Sequence, residues 1–224
     1  MMDQRKPVAV LAGTPVDTQM GADVLSAHGI TPMVFPVSRY PQEQAYFQVQ
    51  PQAEKKARIA GILRDAMAQG CGSAFIYCNS LSGAVDFTEL SAELGLKIVT
   101  PMDAYGRIAK QYAKLAIIAY NAQAMVGQDV AMMRANPDII MLHSSVSRVA
   151  IDIEAGLSPE EIIRRNHLDL LMRYFEACGC EALVLGCTHF PYVGGALGAY
   201  TRLPLLDPAE DMVRILLEDG KKTK

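Results

Sequence analysis

Short apolar runs alternate along the chain with stretches of helical spacing. Residues 7–12 (PVAVLA) read as a first strand. Residues 17–29 place Met20, Val24 and Leu25 at helical intervals and stop at Gly29. Residues 31–37 form the next strand, with prolines that mark ends or edges. A helix over 53–69 (Ile59, Ile62, Leu63, Ala66) ends at Gly70, and 73–77 (SAFIY) is a buried strand. A helix over 86–94 stops at Gly95, and the strand 97–100 follows. Strand and helix in this rhythm predict βαβ units and a mainly parallel sheet.

The order then begins again. Lys6-Pro-Val-Ala-Val recurs as Lys114-Leu-Ala-Ile-Ile, and Met20-Gly-Ala-Asp-Val as Val126-Gly-Gln-Asp-Val. Val37-Ser-Arg39 recurs as Val146-Ser-Arg148, and the strand from Cys71 into Cys78 as the strand from Cys180 into Cys187. Residues 96–101 recur as 203–208. Repeated βαβ units alone would match apolar strands, but not a Ser-Arg pair and a cysteine at equivalent strand ends. The fold predicted is therefore α/β, with two similar lobes around central parallel sheets, related by a pseudo-twofold, and an active site in the cleft between them. Residues 1–99 plus 207–224 are assigned to the first lobe, whose C-terminal helix (209–218) crosses back. Residues 100–206 form the second. The Lys221-Lys222 tail is expected to fray.

Half the 224 residues are apolar, enough for a real core. Lys plus Arg is 21 against 24 Asp plus Glu, a net charge of −3. That balance disfavours nucleic-acid or anionic-membrane partners, which call for a basic surface. No apolar run reaches a membrane span, and residues 8–11 are too short for a signal core, so a cytoplasmic location is expected. Five cysteines at these spacings give neither a disulfide framework nor a zinc site. No P-loop, dinucleotide fingerprint or pyridoxal motif is found, so no cofactor and no metal are expected.

Cys78 and Cys187 each follow an apolar strand and precede a small polar pair, Asn79-Ser80 and Thr188-His189. Ligands of open parallel sheets sit beyond the carboxyl ends of the strands. A turn into a helix after each cysteine would put helix N–H groups near the sulfur and favour thiolate. Cys71 and Cys180 open their strands and read as small core residues. One thiol on each side of a cleft suits inversion of a carbon stereocentre, which needs proton removal from one face and return on the other.

These residues resemble a known family. Cys78-Asn79-Ser80 is similar to the first cysteine motif of the aspartate/glutamate racemase superfamily, with Ser80 where Thr is usual. Residues 185–191 (LGCTHFP) are similar to the second motif of glutamate racemases. The resemblance implies a cofactor-independent racemase of an acidic amino acid, with Cys78 and Cys187 as the acid/base pair and His189 assisting Cys187. It assigns Asn79, Ser80 and Thr188 to the substrate's α-amino and α-carboxylate groups. The loop 13–18 lacks the Asp-Ser-Gly of glutamate racemases. Its Thr14 is a candidate substrate contact, and its Asp17, aligned through an insertion, a candidate for the family's acidic residue. Arg39 and Arg148 are candidates for a distal carboxylate, as basic residues are in aspartate racemases. His189 points to glutamate, and the two arginines and the chain length to aspartate; that choice stays open. His143, at the end of an apolar strand, is a lesser candidate for the cleft.

The partner implied is a small amino acid, with a homodimer as the candidate assembly. Two alternatives stand: a related isomerase or lyase of maleate isomerase or decarboxylase type, and an inactive binder of an acidic metabolite. The decarboxylases keep one cysteine, which argues against them here.

Overall fold

The computed structural model describes residues 6–218; the Lys221-Lys222 tail lies outside them. The first half runs β1 (Val8–Ala12), α1 (Pro15–Ala27), β2 (Pro32–Pro36), α2 (Pro41–Gln48), α3 (Gln52–Ala68), β3 (Ser73–Ile76), α4 (Asn79–Ala84), α5 (Phe87–Leu94), β4 (Lys97–Val99) and α6 (Pro101–Ile108). The second runs β5 (Lys114–Ala119), α7 (Ala122–Ala135), β6 (Ile140–Ser145), α8 (Ser147–Glu154), α9 (Pro159–Arg165), α10 (Leu168–Ala177), β7 (Ala182–Gly186), α11 (Pro191–Leu197), β8 (Leu205–Leu206) and α12 (Pro208–Leu217).

The strands make two four-stranded sheets, ordered β2-β1-β3-β4 and β6-β5-β7-β8, with every pairing parallel. The order is the same in both, so the repeat in the sequence is a repeat of topology. All of β1 and β7, and β5 from Leu115 on, are buried, as strands covered by helices on both faces must be. In each sheet the strand order reverses at the first strand, and there the crevice beyond the carboxyl ends opens.

Local chemistry sets the element ends near that crevice. Thr14 and Thr100 each begin a helix with a capping box closed by Asp17 and Asp103, and proline follows both at the first helical position. Gly95 ends α5 with a positive φ of 60°, a conformation that costs glycine little.

The lobes meet through α4 and α7. A Cβ on Gly127 would lie 2.8 Å from Gly83 Cα, and one on Gly83 would lie 2.6 Å from the Gln123 carbonyl. The two backbones thus touch where only glycine fits. Helix α12 packs on the first sheet: Ala209, Met212, Val213 and Leu216 share the core of Val10, Phe75 and Leu90. Among the described residues no helix is long and apolar enough to cross a membrane.

Candidate active site

Beyond the strand ends lies one cavity of about 50 Å³, walled by both lobes. Gly13, Thr14 and Asp17 come from the β1–α1 turn, and Cys78, Asn79 and Ser80 from the end of β3 and the start of α4. Cys187, Thr188 and His189 follow β7. Helix α2 adds Gln44 and Gln48 from one side, and α8 adds Ile151 and Glu154 from the other.

The two cysteines, at equivalent places in the repeat, sit in different electrostatic settings. Cys78 caps α4, and its sulfur lies 3.6 Å from Ser80 Oγ. Burial and the negative charge of Asp17 push its thiol up to about 12, overriding the Leu81 N–H and the Ser80 hydroxyl that favour the anion. The expected helix-terminus field is therefore present but loses to desolvation. At neutral pH Cys78 is therefore a protonated thiol.

Cys187 does not stand at a helix start, because α11 begins only at Pro191. Its sulfur faces His189 Nδ1 at 3.7 Å, and His189 Nε2 is 3.0 Å from Glu154 Oε1. Burial works against a charged imidazole here. The contacts with Cys187 and Glu154 and the nearby Asp17 outweigh it and raise His189 to about 10. Glu154 is lowered in turn, chiefly by its hydrogen bond with His189. At neutral pH the arrangement is thus a sulfur, an imidazolium and a carboxylate in line.

Asp17 is buried and its pKa raised, since desolvation outweighs the charge of His189 and the N–H donors around it. Its Oδ2 accepts from the Gly13 N–H at 3.1 Å and its Oδ1 from the Thr14 N–H at 2.6 Å. Thr14 Oγ1 lies 3.0 Å from Asp17 Oδ1 and 3.1 Å from Glu154 Oε1, one proton shared between two carboxylates from different lobes.

Of the residues singled out in the sequence, Thr14, Asp17, Cys78, Asn79, Ser80, Cys187, Thr188 and His189 meet in this cavity. Arg39 and Arg148 do not. The Arg39 side chain is 83% exposed and turned back on Glu43, and that of Arg148 is 58% exposed and paired with Asp152. Arg39, just before α2, and Arg148, in the first turn of α8, each meet an acid four residues on, which draws them away from the cleft. His143 lies within β6, bound to Asp129 at 2.6 Å, and is not part of the cavity wall. Sequence reasoning missed Glu154, Gln44, Gln48 and Tyr120, none of which belongs to a motif. Among the described residues no group of three or more His, Cys, Asp or Glu is placed to hold a metal.

No family model matches the chain. It is 29% identical over 175 residues to a glutamate racemase of Thermus thermophilus, an alignment covering 72% of this chain and 61% of that one. The chain thus spans less than two thirds of the relative's length. The crystal structure of a glutamate racemase from Francisella tularensis, in complex with D-glutamate, superposes with a TM-score of 0.73 at 17% identity, covering 96% of this chain and 80% of that one. An aspartate racemase homologue from Pyrococcus horikoshii superposes with a TM-score of 0.67 at 15% identity, covering 94% and 97%. These superpositions are likenesses of fold.

Proposed function

We propose, for a chain that belongs to the aspartate/glutamate racemase superfamily, that it interconverts the L and D forms of an acidic amino acid, glutamate or aspartate, by moving the α-proton between two cysteines. The observation that carries this reading is that Cys78 and Cys187, from equivalent strand ends of two repeated lobes, wall one small cavity. We also propose residues 1–99 plus 207–224 and 100–206 as the two lobes.

Cys78 starts as the neutral thiol and Cys187 serves as the base, beside the His189 imidazolium that Glu154 holds in place. As the base, the Cys187 sulfur takes the α-proton from one face of the substrate. Cys78 gives its thiol proton to the opposite face. One C–H bond breaks and one forms, and the enzyme is left with a Cys187 thiol and a Cys78 thiolate. The other enantiomer runs the same steps backwards. The buried Cys78 thiolate is a strong base because burial and Asp17 both destabilise it. Asn79, Ser80 and Thr188 supply neutral donors for the α-carboxylate, whose oxygens take up negative charge from the α-carbon as the proton leaves. Asp17, held by two backbone N–H groups, is a candidate acceptor for the α-amino group.

The test is direct. Incubating pure L- and D-glutamate, and then both aspartates, with the protein should bring the optical activity of one pair to zero from either side. No change with any of the four would remove the reading. Because Arg39 and Arg148 point away from the cavity, Arg39→Ala and Arg148→Ala should each leave KM within about twofold, as surface changes do. A rise of tenfold in either variant would show that the side chain reaches the substrate.

A further inference from the structure

Behind the cavity a buried polar network joins the two cysteine loops. Gln128, fully buried on α7, donates through Nε2 to the Gly186 carbonyl at 2.9 Å. Gly186 immediately precedes Cys187. The same Nε2 lies 3.4 Å from Tyr105 Oη and 3.5 Å from Asn79 Oδ1. Tyr105, fully buried on α6, donates its hydroxyl to that Asn79 Oδ1. Asn79 immediately follows Cys78, and its Nδ2 is buried with no partner. An unmade pair of buried N–H donors is costly, so their orientation must be held by something else.

The network is not a product of the repeat. Gln128 corresponds to Ala22 in the first lobe, and Gly186 to Tyr77. Gly186 makes room for it: a Cβ there would lie 2.6 Å from Gln128 Nε2 and 2.7 Å from the Ile118 carbonyl.

We infer that Tyr105 and Gln128 are positioning residues. They occupy the carbonyl end of the Asn79 amide, so that only its N–H₂ edge is offered to the substrate's α-carboxylate. Through the Gly186 carbonyl they also hold the Cys187 loop in register with the Cys78 loop. Two donors aimed at one oxygen decide which way the amide faces, and an amide free to turn would present an acceptor to a carboxylate half the time. The inference rests on the racemase reading for its substrate, but the orientation of Asn79 can be observed without substrate.

Two measurements test it. In KM and kcat with L- and D-glutamate, Tyr105→Phe/Gln128→Met should raise KM about tenfold, the value of one well-placed hydrogen bond, and lower kcat as well, because the Cys187 loop loses its hold and the developing charge its oriented donor. Tyr105→Phe alone, which removes one oxygen and keeps the ring, should move KM the same way by less. In an Asn79→Asp background the double change should add nothing, because an aspartate has no donor edge to orient. Unchanged KM, or effects that multiply fully with Asn79→Asp, would overturn the inference. If the protein racemises nothing, the racemase reading fails and proton NMR of the ligand-free protein decides. The Asn79 side-chain N–H₂ signals, identified by their loss in Asn79→Asp, should exchange slowly with water in the native chain and quickly in the double variant. Equal exchange in the two would overturn it.

Discussion

Serine in place of Cys78 or Cys187 is expected to lower racemisation of either enantiomer by about a thousandfold, the scale of a lost general acid or base. A hydroxyl of similar size fills the space but neither gives up nor takes the α-proton readily. Both variants should lose both directions, because in the proposed mechanism each turnover uses one sulfur as base and the other as acid. They differ in a reaction that needs only the base. Elimination of HCl from β-chloroalanine removes the α-proton and the chloride and leaves an enamine that hydrolyses to pyruvate. Cys78→Ser, which keeps Cys187, should eliminate from one enantiomer only, and Cys187→Ser from the other only. Pyruvate release measured on both enantiomers checks this. Elimination from both enantiomers by one variant would mean that a single base reaches both faces.

The second large effect belongs to His189. Asparagine there removes the cation beside Cys187 while keeping a polar group, and kcat/KM should fall about a hundredfold. The fall must be equal in both directions, because mirror-image substrates have equal free energy and their kcat/KM values must stay in a ratio of one. The pH profile carries the sign. His189 is protonated below about 10, so native activity should decline as the pH rises through that value, and the variant should lack this limb. Stability follows the same linkage. The folded pKa of about 10 lies above the free value of 6.5, so the contribution of His189 is complete below 6.5 and disappears as the pH rises through 10. Thermal midpoints between these limits should fall more in the native protein than in His189→Asn. Parallel pH dependence in the two would show that His189 does not act on Cys187.

Which parts of this site can be read from sequence has a physical explanation. The cysteines were legible because a repeat marks equivalent strand ends, and topology puts equivalent strand ends on one crevice. The arginines shared that repeat, yet a position fixes only the backbone. Glu43 and Asp152, each four residues on, drew the two side chains outward. Helix α2 went unread because its inward face is Gln44, Phe47 and Gln48. A helix that borders a polar cavity lacks the apolar stripe by which helices are recognised. Glu154 likewise sits in no motif, and its meaning comes from His189, 35 residues away in sequence and 3.0 Å away in space.

The central claim is that two sulfurs address one α-carbon from opposite faces, and the destination of solvent deuterium tests it most directly. Pure L-glutamate is converted in D₂O and the reaction is stopped after a few per cent of turnover. The account predicts D-glutamate labelled at the α-carbon in nearly every molecule, since its new hydrogen comes from the solvent-exchanged thiol on the opposite face, while the remaining L-glutamate is unlabelled. D-glutamate that retains the original hydrogen, or L-glutamate labelled ahead of inversion, would contradict it.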